Sequence, residues 1–458
     1  MKTALAAKDI QWLTSQFSDC SAHGIHKRMV QLIREGYLLG GSPLPTVRDF
    51  ARGLGVSTGS VAEAWSRLRE DKLILTNRRG GSSVAVSDIQ RSGTAKSSAS
   101  LEWFSVDLAQ GLADPALQPQ LGPALMASLA SDALHAPENE AISEALVAAA
   151  MPTLPFKPEA WCASGGGTEG ALLAFEAATN RGDVVAVEEP TSPRILEALK
   201  SLEVTAVPVL CDKEGPLPDS LKEAFRYKPS AFIYQPRAQV PIGHRVSDRR
   251  IKELAEVLLT YGPEVVVVED DNLGPVAMLD VPSIGLYIPE RVLHVRAYCK
   301  TYGVDLRTSI IAGSSKLVDR ARQVRSHGTA MTSRILQNAV AFLIADKETD
   351  AAIDLARRRY AQRRQRLHDG LRTRGMPAID SADGFGIWLP VADEVTALLN
   401  LASFGVSVGA GSKYFTTPSS LGHLRIATSR LPDDPQAIDH LSEIFLKASL
   451  GGRRLGYE

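Results

Sequence analysis

A lysine, two carboxylates and an arginine follow apolar segments in the second half of the chain. The segment VVVVEDD ends in Asp270 and Asp271, and VLHVRAY is followed closely by Lys300, with Arg307 seven residues later. An amine can attack an aldehyde, a carboxylate can hold a protonated ring nitrogen, and a guanidinium can bind a phosphate. Because most lysines are solvated surface charges, the surrounding elements have to decide which description applies to Lys300.

A glycine-rich turn upstream of these residues predicts an anion site. In GGGTEGALLAFEAATNRGD the glycines lead into a helix whose first turn we expect at Gly167, Thr168 and Glu169. The unpaired N–H groups of a helix N-terminus bind anions, helped by the positive end of the helix dipole. Glycine-rich turns before helices are common, so this feature gains weight only in combination with the others.

These groups together match the needs of one ligand, pyridoxal 5'-phosphate. It requires an amine for its aldehyde, a carboxylate for its pyridine nitrogen, and N–H groups with an arginine for its phosphate. The chain supplies them in the order helix N-terminus, Asp270, Lys300, Arg307. A further arginine, Arg425, lies in the short apolar stretch HLRIATSRL near the C-terminus.

Alternating apolar strands and helices must position these residues. The predicted strands are VVAVEEP, VTAVPVL, AFIYQP, VVVVEDD and VLHVRAY. Continuously apolar strands between helices are typical of an α/β domain with a mainly parallel sheet. Ligands of such sheets bind at the C-terminal ends of the strands, which is where Asp270 and Lys300 are expected.

The first 86 residues differ in charge from the rest of the chain. They hold 12 Lys and Arg against 7 Asp and Glu, a formal charge of +5, whereas the remainder carries 39 against 45, or −6. A basic N-terminal part on an acidic body favours a polyanionic partner for the N-terminal part.

The spacing of apolar residues in this part predicts three helices and a hairpin. Thr46 and Ser57 are candidate N-caps, and Gly55 is placed to end the middle helix. The segment LILTNRRGGSSVAV predicts two strands joined by a glycine-containing turn. This order indicates a winged helix-turn-helix, whose third helix enters the major groove of DNA.

The same stretch resembles the winged helix of GntR-type regulators. The matching residues are Pro45, Arg48, Ala51, Leu54, Val56, Ser57 and Val61. The family usually has an arginine where this chain has Thr58, which puts one phosphate or base contact in doubt. The residues that we expect to contact DNA are Arg48, Ser57, Thr58 and Ser60, with Arg78, Arg79 and Gly80 in the wing.

The whole chain from about residue 23 to 445 resembles the MocR subfamily, in which a GntR head is fused to a fold-type I aminotransferase-like domain. GDVVAVEEP, YQPRAQVPIG, VVVVEDD and KTYGVDLR match that subfamily in order. The resemblance implies that Lys300 reacts with the cofactor's aldehyde and that Asp270, with Asp271 as the alternative, partners its pyridine nitrogen. It further implies that Arg307 binds the phosphate and that Arg425 binds the carboxylate of an amino-acid effector. A homodimer is also implied, because fold-type I sites are usually built between subunits.

Several departures from active aminotransferases favour sensing over turnover. The positions concerned are Ser192, Val240, Asn272, Ala297 and Cys299, where the family usually has an aromatic residue, an asparagine, a tyrosine and serines respectively. A sensor of pyridoxal 5'-phosphate that is not an enzyme is therefore our first hypothesis. Two alternatives stay open: a working aminotransferase with a DNA-binding head, and a regulator that has lost the cofactor.

Length and composition set the domain organisation. At 458 residues, 44% hydrophobic and 22% charged, the chain is of globular type and too long for one core. We expect a winged helix in residues 1–86, a polar linker in 87–104, and an aminotransferase-like domain in 105–458 with a large part at about 140–330 and a small part at about 331–458. With no signal peptide, no membrane-spanning run, and four cysteines at neither metal nor disulfide spacing, we expect a cytoplasmic protein without a metal site.

Overall fold

Two units divide the chain, Met1–Glu102 and Trp103–Glu458. The structure is a computed structural model that describes residues 10–17, 19–34, 37–38, 42–71, 73–77, 81–84, 106–131, 134, 140–328, 330–417, 419 and 421–450. The predicted linker, residues 87–104, and the predicted wing tip at Arg78, Arg79 and Gly80 lie outside this description. Among the described helices, none combines the length and the apolar character that crossing a membrane requires.

The first unit contains the helices and the hairpin that the sequence predicts. Its elements are α1 (Ile10–Ser15), α2 (Ala22–Arg34), α3 (Val47–Leu54), α4 (Thr58–Glu70), β1 (Ile74–Asn77) and β2 (Gly81–Val84). The strands pair antiparallel, with Ile74 opposite Val84. The predicted apolar faces of α2 and α4 are buried, including Met29 and Trp65.

The predicted caps of the helix-turn-helix are confirmed. The Thr46 side chain accepts a hydrogen bond from the N–H of Asp49, and the Ser57 side chain accepts one from Ser60. Gly55 ends α3 with φ +69°, in the left-handed region that glycine tolerates at little cost. The turn between α3 and α4 is therefore encoded locally. The short α1, which the apolar spacing did not predict, packs Leu13 into the same core.

The second unit contains two sheets. Its strands are β3 (Val106–Leu108), β4 (Ala160–Ser164), β5 (Val184–Glu189), β6 (Thr205–Asp212), β7 (Gly215–Pro216), β8 (Ala231–Tyr234), β9 (Val266–Asp271), β10 (Val292–Ala297), β11 (Ser309–Gly313), β12 (Gly386–Val391), β13 (Val406–Ala410) and β14 (Gly422–Ala427).

Helices cover these sheets. They are α5 (Gly122–Leu129), α6 (Glu144–Ala150), α7 (Gly167–Ala178), α8 (Pro193–Ser201), α9 (Pro218–Ala224), α10 (Asp248–Tyr261), α11 (Cys299–Tyr302), α12 (Ser315–Ser326), α13 (Arg334–Ala345), α14 (Lys347–Thr373), α15 (Glu394–Ser403) and α16 (Pro435–Leu450). Short 3-10 helices lie at Pro115–Leu117, Met151–Thr153, Phe225–Tyr227, Gly274–Val276, Ile284–Leu286, Pro289–Arg291, Val304–Leu306 and Gly411–Tyr414.

The large sheet has the strand order β4-β11-β10-β9-β8-β5-β6-β7. Its central pairs, from β10 through β9, β8 and β5 to β6, are parallel. Antiparallel pairs occur only towards the edges of this sheet as described, at β10–β11, β11–β4 and β6–β7. The predicted α/β class with a mainly parallel sheet is confirmed, as are all five predicted strands.

Each face of the large sheet packs on its own apolar cluster. Val268 of β9 belongs to the cluster that contains much of α7 and α12, and Val267 belongs to the cluster that contains much of α10. The small sheet has the order β12-β14-β13-β3. Its strand β3 comes from the beginning of the unit and pairs parallel with β13, an addition that the predicted small part at about 331–458 did not contain.

Candidate ligand-binding and DNA-binding sites

Asp270 and Asp271 lie on opposite faces of β9, because successive side chains of a strand point to opposite sides. Asp271 is fully buried. Arg237 donates to its two carboxylate oxygens at 2.9 and 2.8 Å, and Arg296 Nε donates at 2.7 Å. Burial alone would raise the pKa of Asp271, but these guanidinium groups hold it well below its usual value. Asp271 therefore already has its partners within the fold.

Asp270 has a different environment. It is 6% exposed and accepts no hydrogen bond from any side chain or backbone group in the described part of the chain. Burial raises its pKa to about 7, although the charge of Lys300 acts in the opposite direction. A buried carboxylate without a donor is available to a ligand, so the geometry favours Asp270 over Asp271 as the partner of a ring nitrogen.

Lys300 lies in α11, the single helical turn that follows β10. Burial lowers its pKa to about 8, against the raising effects of Cys299 and Asp270. A larger fraction of the amine is therefore unprotonated near neutral pH than for a surface lysine, and the unprotonated amine is the nucleophile. The lysine of the prediction is thus not a solvated surface charge.

A chain of hydrogen bonds holds the Lys300 amine. Lys300 Nζ donates to Asn272 Oδ1 at 2.5 Å, and Asn272 Nδ2 donates to Gln235 Oε1 at 2.7 Å. Gln235 in turn donates from Nε2 and from its backbone N–H to Glu188 Oε1, both at 3.0 Å. Gln235 and Glu188 were missed by the sequence analysis, since a strand-end glutamine and a buried glutamate carry no distinctive spacing.

Helix α7 begins at Gly167, as predicted. Its N-cap Gly166 has φ +103°, and no side chain caps the helix. A Cβ on Gly167 would lie 2.7 Å from the Cβ of Ala297, the last residue of β10. The absence of a side chain thus brings the free N–H groups of Gly167 and Thr168, in the turn that Glu169 continues, close to the segment that carries Lys300.

The carboxylate of Glu169 does not face these free N–H groups. One of its oxygens accepts a hydrogen bond from the N–H of Gly165, and the other lies 3.4 Å from Nε of the buried Arg325. Arg325 is held in place by Ala163 O and Thr332 Oγ1. The negative charge that would oppose a phosphate is therefore paired with the Gly165 N–H and with Arg325.

Arg307 lies beside the same turn. Its Nε is 3.6 Å from the position that a Cβ would take on Gly166. Its side chain is exposed and forms no salt bridge with a described residue. Its backbone adopts φ +39°, a left-handed conformation that is uncommon outside glycine. The predicted pairing of Arg307 with the glycine-rich turn is present in the fold, and its role towards phosphate stays a prediction.

Arg425 and Lys300 border one cavity. The cavity contains about 340 Å³ of space including its open mouth, and its walls also include Val240 and Asn272. Asp270 and the α7 N-terminus are not among the residues that line this cavity. Val240, which replaces the asparagine of active enzymes, offers only an apolar side chain there.

The guanidinium of Arg425 is buried with few partners. Its side chain is on β14, and its Nη atoms reach only the carbonyl oxygens of Ala109 and Phe385, both at 3.4 Å. Its Nε has no acceptor among the described residues. Burial lowers the pKa of this guanidinium. A buried cation without a carboxylate is a suitable site for an anion.

The predicted DNA-contacting residues of α3 and α4 are accessible. Arg48, Ser57 and Thr58 are exposed, and Ser60 is partly exposed. The hydroxyl groups of Ser57 and Ser60 lie 3.0 Å apart at the N-terminus of α4. Arg48 forms no salt bridge with the residues described in this unit. Arg78, Arg79 and Gly80 lie outside the described residues, so the wing contacts stay a prediction.

Two families match the chain in the order of its two units. The family "Bacterial regulatory proteins, gntR family" matches residues 22–84, and "Aminotransferase class I and II" matches residues 122–440. The vitamin B6 salvage pathway transcriptional repressor PtsJ of Salmonella typhimurium is 30% identical over 423 residues, which are 90% of this chain and 95% of PtsJ. The chain belongs to the MocR subfamily of GntR-type transcription regulators. It is thus a transcriptional regulator with a GntR DNA-binding domain and an aminotransferase-like domain.

A second full-length relative has the same organisation. The HTH-type transcriptional regulator YdcR of Escherichia coli is 25% identical over 434 residues, covering 85% of this chain and 92% of YdcR. Mouse kynurenine/alpha-aminoadipate aminotransferase matches only in part, at 27% identity over 189 residues, 36% of this chain and 43% of that enzyme. Full-length similarity is therefore seen with regulators, and partial similarity with an enzyme.

Solved aminotransferases share the fold of the second unit. The alpha-aminoadipate aminotransferase LysN of Thermus thermophilus, complexed with N-(5'-phosphopyridoxyl)-L-leucine, has a TM-score of 0.67 at 19% identity, covering 76% of this chain and 92% of LysN. The kynurenine aminotransferase of Pyrococcus horikoshii, in complex with PMP, has a TM-score of 0.68 at 20% identity, covering 78% and 98%. The second unit therefore has the fold of these pyridoxal-phosphate enzymes.

Proposed function

We propose that this regulator binds pyridoxal 5'-phosphate covalently through Lys300 and uses the bound cofactor to control its binding to operator DNA. The observation that carries the proposal is the pair formed by Lys300 and Asp270 at adjacent strand ends. Asp270 is buried and Lys300 is partly buried, each shifts the pKa of the other, and Asp270 has no donor in the described part of the fold. The name of PtsJ, a repressor of vitamin B6 salvage, supports the same ligand class.

The residues present fit the cofactor at its aldehyde, its pyridine nitrogen and its phosphate. When bound, pyridoxal 5'-phosphate supplies an aldehyde that reacts with amines and a ring that withdraws electrons. Lys300 provides the amine once its proton has left Nζ, and Asp270 holds a proton at the ring nitrogen. The N–H groups of Gly167 and Thr168, with Arg307, neutralise the phosphate, while Arg325 keeps the Glu169 carboxylate away from it.

Substitutions around the site favour sensing over turnover. Val240 cannot donate a hydrogen bond from its side chain, and Asn272 uses its amide on Gln235 and Lys300. Efficient turnover requires the ring to be oriented by several hydrogen bonds. Ligand capture needs fewer contacts, because the covalent bond and the phosphate site hold the ligand. We therefore propose a non-enzymatic role.

An amino compound is the proposed second effector. Arg425 is the buried cation on the Lys300 cavity, and its Nε lacks an acceptor among the described groups. A carboxylate at this position would receive two hydrogen bonds from the guanidinium, as planar carboxylates prefer. Arg425→Ala should leave cofactor binding intact but remove the response of operator binding to an amino acid, which gel shift with and without the amino acid would measure.

Covalent binding is tested by spectroscopy and peptide mapping. Cofactor added to the full-length protein should produce a visible absorption band, and borohydride should trap it on one peptide containing Lys300. Lys300→Ala should abolish the trapped adduct, whereas Lys316→Ala, an exposed lysine on α12, should retain it. Adduct formation in Lys300→Ala equal to that in the unaltered protein would contradict the proposal.

The two alternative functions give different results in the same preparation. A regulator that has lost the cofactor shows no trapped adduct, and its operator affinity is unaffected by pyridoxal 5'-phosphate. A working aminotransferase shows the adduct and also converts 2-oxoglutarate with one member of an amino-acid panel at a steady rate. The proposed sensor shows the adduct and a changed operator affinity without steady turnover.

A homodimer through the second unit is also proposed. Large apolar side chains of this unit are exposed, among them Met126, Leu286 and Val304. Two linked heads would gain operator affinity through a raised effective concentration. Sedimentation at micromolar protein should show a dimer, and a monomer at that concentration would contradict this part of the proposal.

A further inference from the structure

Glu188, Cys211 and His244 come together behind the Lys300 cavity. Glu188 is on β5, Cys211 is on the neighbouring β6, and His244 lies in the loop before α10. One ligand atom from each, a carboxylate oxygen, Sγ and a ring nitrogen, all lie within 4.8 Å of one another. No spacing in the sequence indicates this cluster, because the three residues come from three separate segments.

Two of these side chains are buried with polar atoms that lack partners. His244 is 3% exposed, and neither of its ring nitrogens has a hydrogen-bond partner among the described residues. Glu188 is fully buried, and its Oε2 likewise has none in the described fold. Burying such groups without partners costs several kcal/mol. Three polar atoms without hydrogen-bond partners among the described residues, two ring nitrogens and one carboxylate oxygen, therefore lie in one small region of the interior.

The arrangement leaves Glu188 Oε2 free while fixing the rest of the side chain. Oε1 accepts both hydrogen bonds from Gln235, so the carboxylate cannot rotate without losing them. The Cys211 thiol makes a long contact of 3.7 Å with Val209 O. Cys211 is partly exposed, which provides a route for an ion from solvent.

Neighbouring charges do not compete for the three ligand atoms. Arg250 is the cation near His244, and it is bound to Asp212 through two hydrogen bonds of 3.0 and 2.9 Å. Burial raises the pKa of Glu188 and of Cys211 and lowers that of His244 to about 4.

We propose that Glu188, Cys211 and His244 bind one Zn²⁺ ion. Thiolate, imidazole and carboxylate are the three ligand types that zinc prefers, and three protein ligands leave a fourth position for water. From zinc–ligand bond lengths, the ligand atoms would be separated by roughly 3.3–3.6 Å, and the approach must come from Cys211 and His244 because Gln235 fixes the Glu188 carboxylate. The thiol proton leaves for solvent, so that Zn²⁺ is balanced by one carboxylate and one thiolate.

The test is a zinc titration of the full-length protein without added cofactor. The reduced, chelator-treated protein competes with an indicator dye for Zn²⁺, and proton release is measured in weakly buffered solution. We expect one Zn²⁺ per chain, with proton release as the thiol becomes a thiolate. Because no pyridoxal 5'-phosphate is present, the result is independent of the proposed function.

Single substitutions test whether Zn²⁺ binds at these three residues. Glu188→Gln keeps the oxygen that accepts from Gln235 and should preserve the fold, yet it should weaken Zn²⁺ binding by at least about 100-fold, as should Cys211→Ser. Cys20→Ser removes a partly exposed cysteine elsewhere and should leave the affinity unchanged. Circular dichroism of each variant checks folding, and Glu188→Gln decides the matter if Cys211→Ser folds poorly.

Three results would overturn the proposal. The first is the absence of one-to-one binding, which would leave Glu188 and His244 as a proton-sharing pair. The second is undiminished affinity in Glu188→Gln. The third is an equal loss in Cys20→Ser. Co²⁺ provides a spectroscopic check, because a thiolate-to-cobalt band should appear in the unaltered protein and be absent from Cys211→Ser.

Discussion

Two adjacent carboxylates on opposite faces of β9 have opposite environments. On one face Asp271 is bound by Arg237 and Arg296, and on the other Asp270 meets only the distributed charge of Lys300 and its neighbours. Both are buried. The difference shows that burial of a charge does not identify a ligand site, whereas burial without a partner does, because a stable fold rarely leaves such a group unsatisfied unless a ligand completes it.

The same distinction separates two arginines of the first unit. Arg52 lies 3.5 Å from Asp49 on α3, while Arg48 on the same helix has no salt bridge to a described residue. Both arginines are exposed, so their charge interactions are weaker than those of the buried carboxylates, since water and salt screen surface charges. The comparison therefore predicts large effects at β9 and small ones at α3.

The largest expected effect is at Asp271. Asp271→Asn should destabilise the second unit by about 3–5 kcal/mol, because two buried guanidinium groups lose their counter-charge. Urea unfolding followed by circular dichroism measures this. The exposed pair of Asp354 with Arg357 is the matched control, and Asp354→Asn should cost less than about 1 kcal/mol. If Asp271→Asn lowers the free energy of unfolding no more than Asp354→Asn does, the two faces of β9 do not differ in the way described.

The pH dependence of stability should have opposite signs for the two carboxylates. The pKa of Asp270 is raised from 3.8 to about 7, so its stabilising protonated form is fully present below pH 3.8 and is lost as pH rises towards 7. The whole shift corresponds to at most about 4 kcal/mol. The pKa of Asp271 is lowered, so its contribution is present above pH 3.8 and is lost on acidification.

The measurement is urea unfolding of the cofactor-free protein between about pH 5 and 7. The unaltered protein should lose on the order of 2 kcal/mol relative to Asp270→Asn over this range. The Lys300 shift acts in a separate window: its lowered pKa, about 8, means that stability is lost as pH falls from 10.5 towards 8. Parallel curves of unfolding free energy against pH for the unaltered protein and Asp270→Asn would show that burial does not raise the pKa of Asp270.

Cofactor affinity should depend on the unpartnered carboxylate. Asp270→Asn should weaken binding of pyridoxal 5'-phosphate by about 2 kcal/mol, roughly 30-fold, because the ring nitrogen loses its charged partner. Equilibrium dialysis before borohydride treatment measures the change. Asp354→Asn should bind like the unaltered protein. If Asp270→Asn also binds pyridoxal 5'-phosphate like the unaltered protein, the Asp270 face of β9 does not contact the ligand.

The smallest effect is expected in the DNA-binding unit. Arg48→Ala should lower the slope of log affinity against log salt by about 0.9, the value for one phosphate contact, and cost on the order of 1 kcal/mol. Arg52→Ala should change the slope less, because its charge is already engaged by Asp49. Fluorescence anisotropy with upstream DNA at several salt concentrations compares them. Equal salt slopes for Arg48→Ala and Arg52→Ala would show that the difference between paired and unpaired charges matters only in the protein interior.

Local sequence determined much of this protein. The caps at Thr46 and Ser57, the left-handed Gly55 and the apolar strands β5, β6, β8, β9 and β10 depend on groups within a few residues of one another, so they could be predicted without the fold. The order of glycine-rich turn, Asp270 and Lys300 was equally visible, because each lies at or shortly after the end of a strand. Family resemblance added roles that the residues alone did not establish.

Tertiary structure decided which of these groups have partners. Whether Asp270 or Asp271 faces Lys300, whether Glu169 turns to Arg325, and whether β3 joins β13 depend on contacts between distant segments. The same holds for the cluster of Glu188, Cys211 and His244. Side-chain types and local spacing encode backbone conformation, but the pairing of buried charges is set by long-range packing, where a one-residue shift in a strand exchanges the two faces.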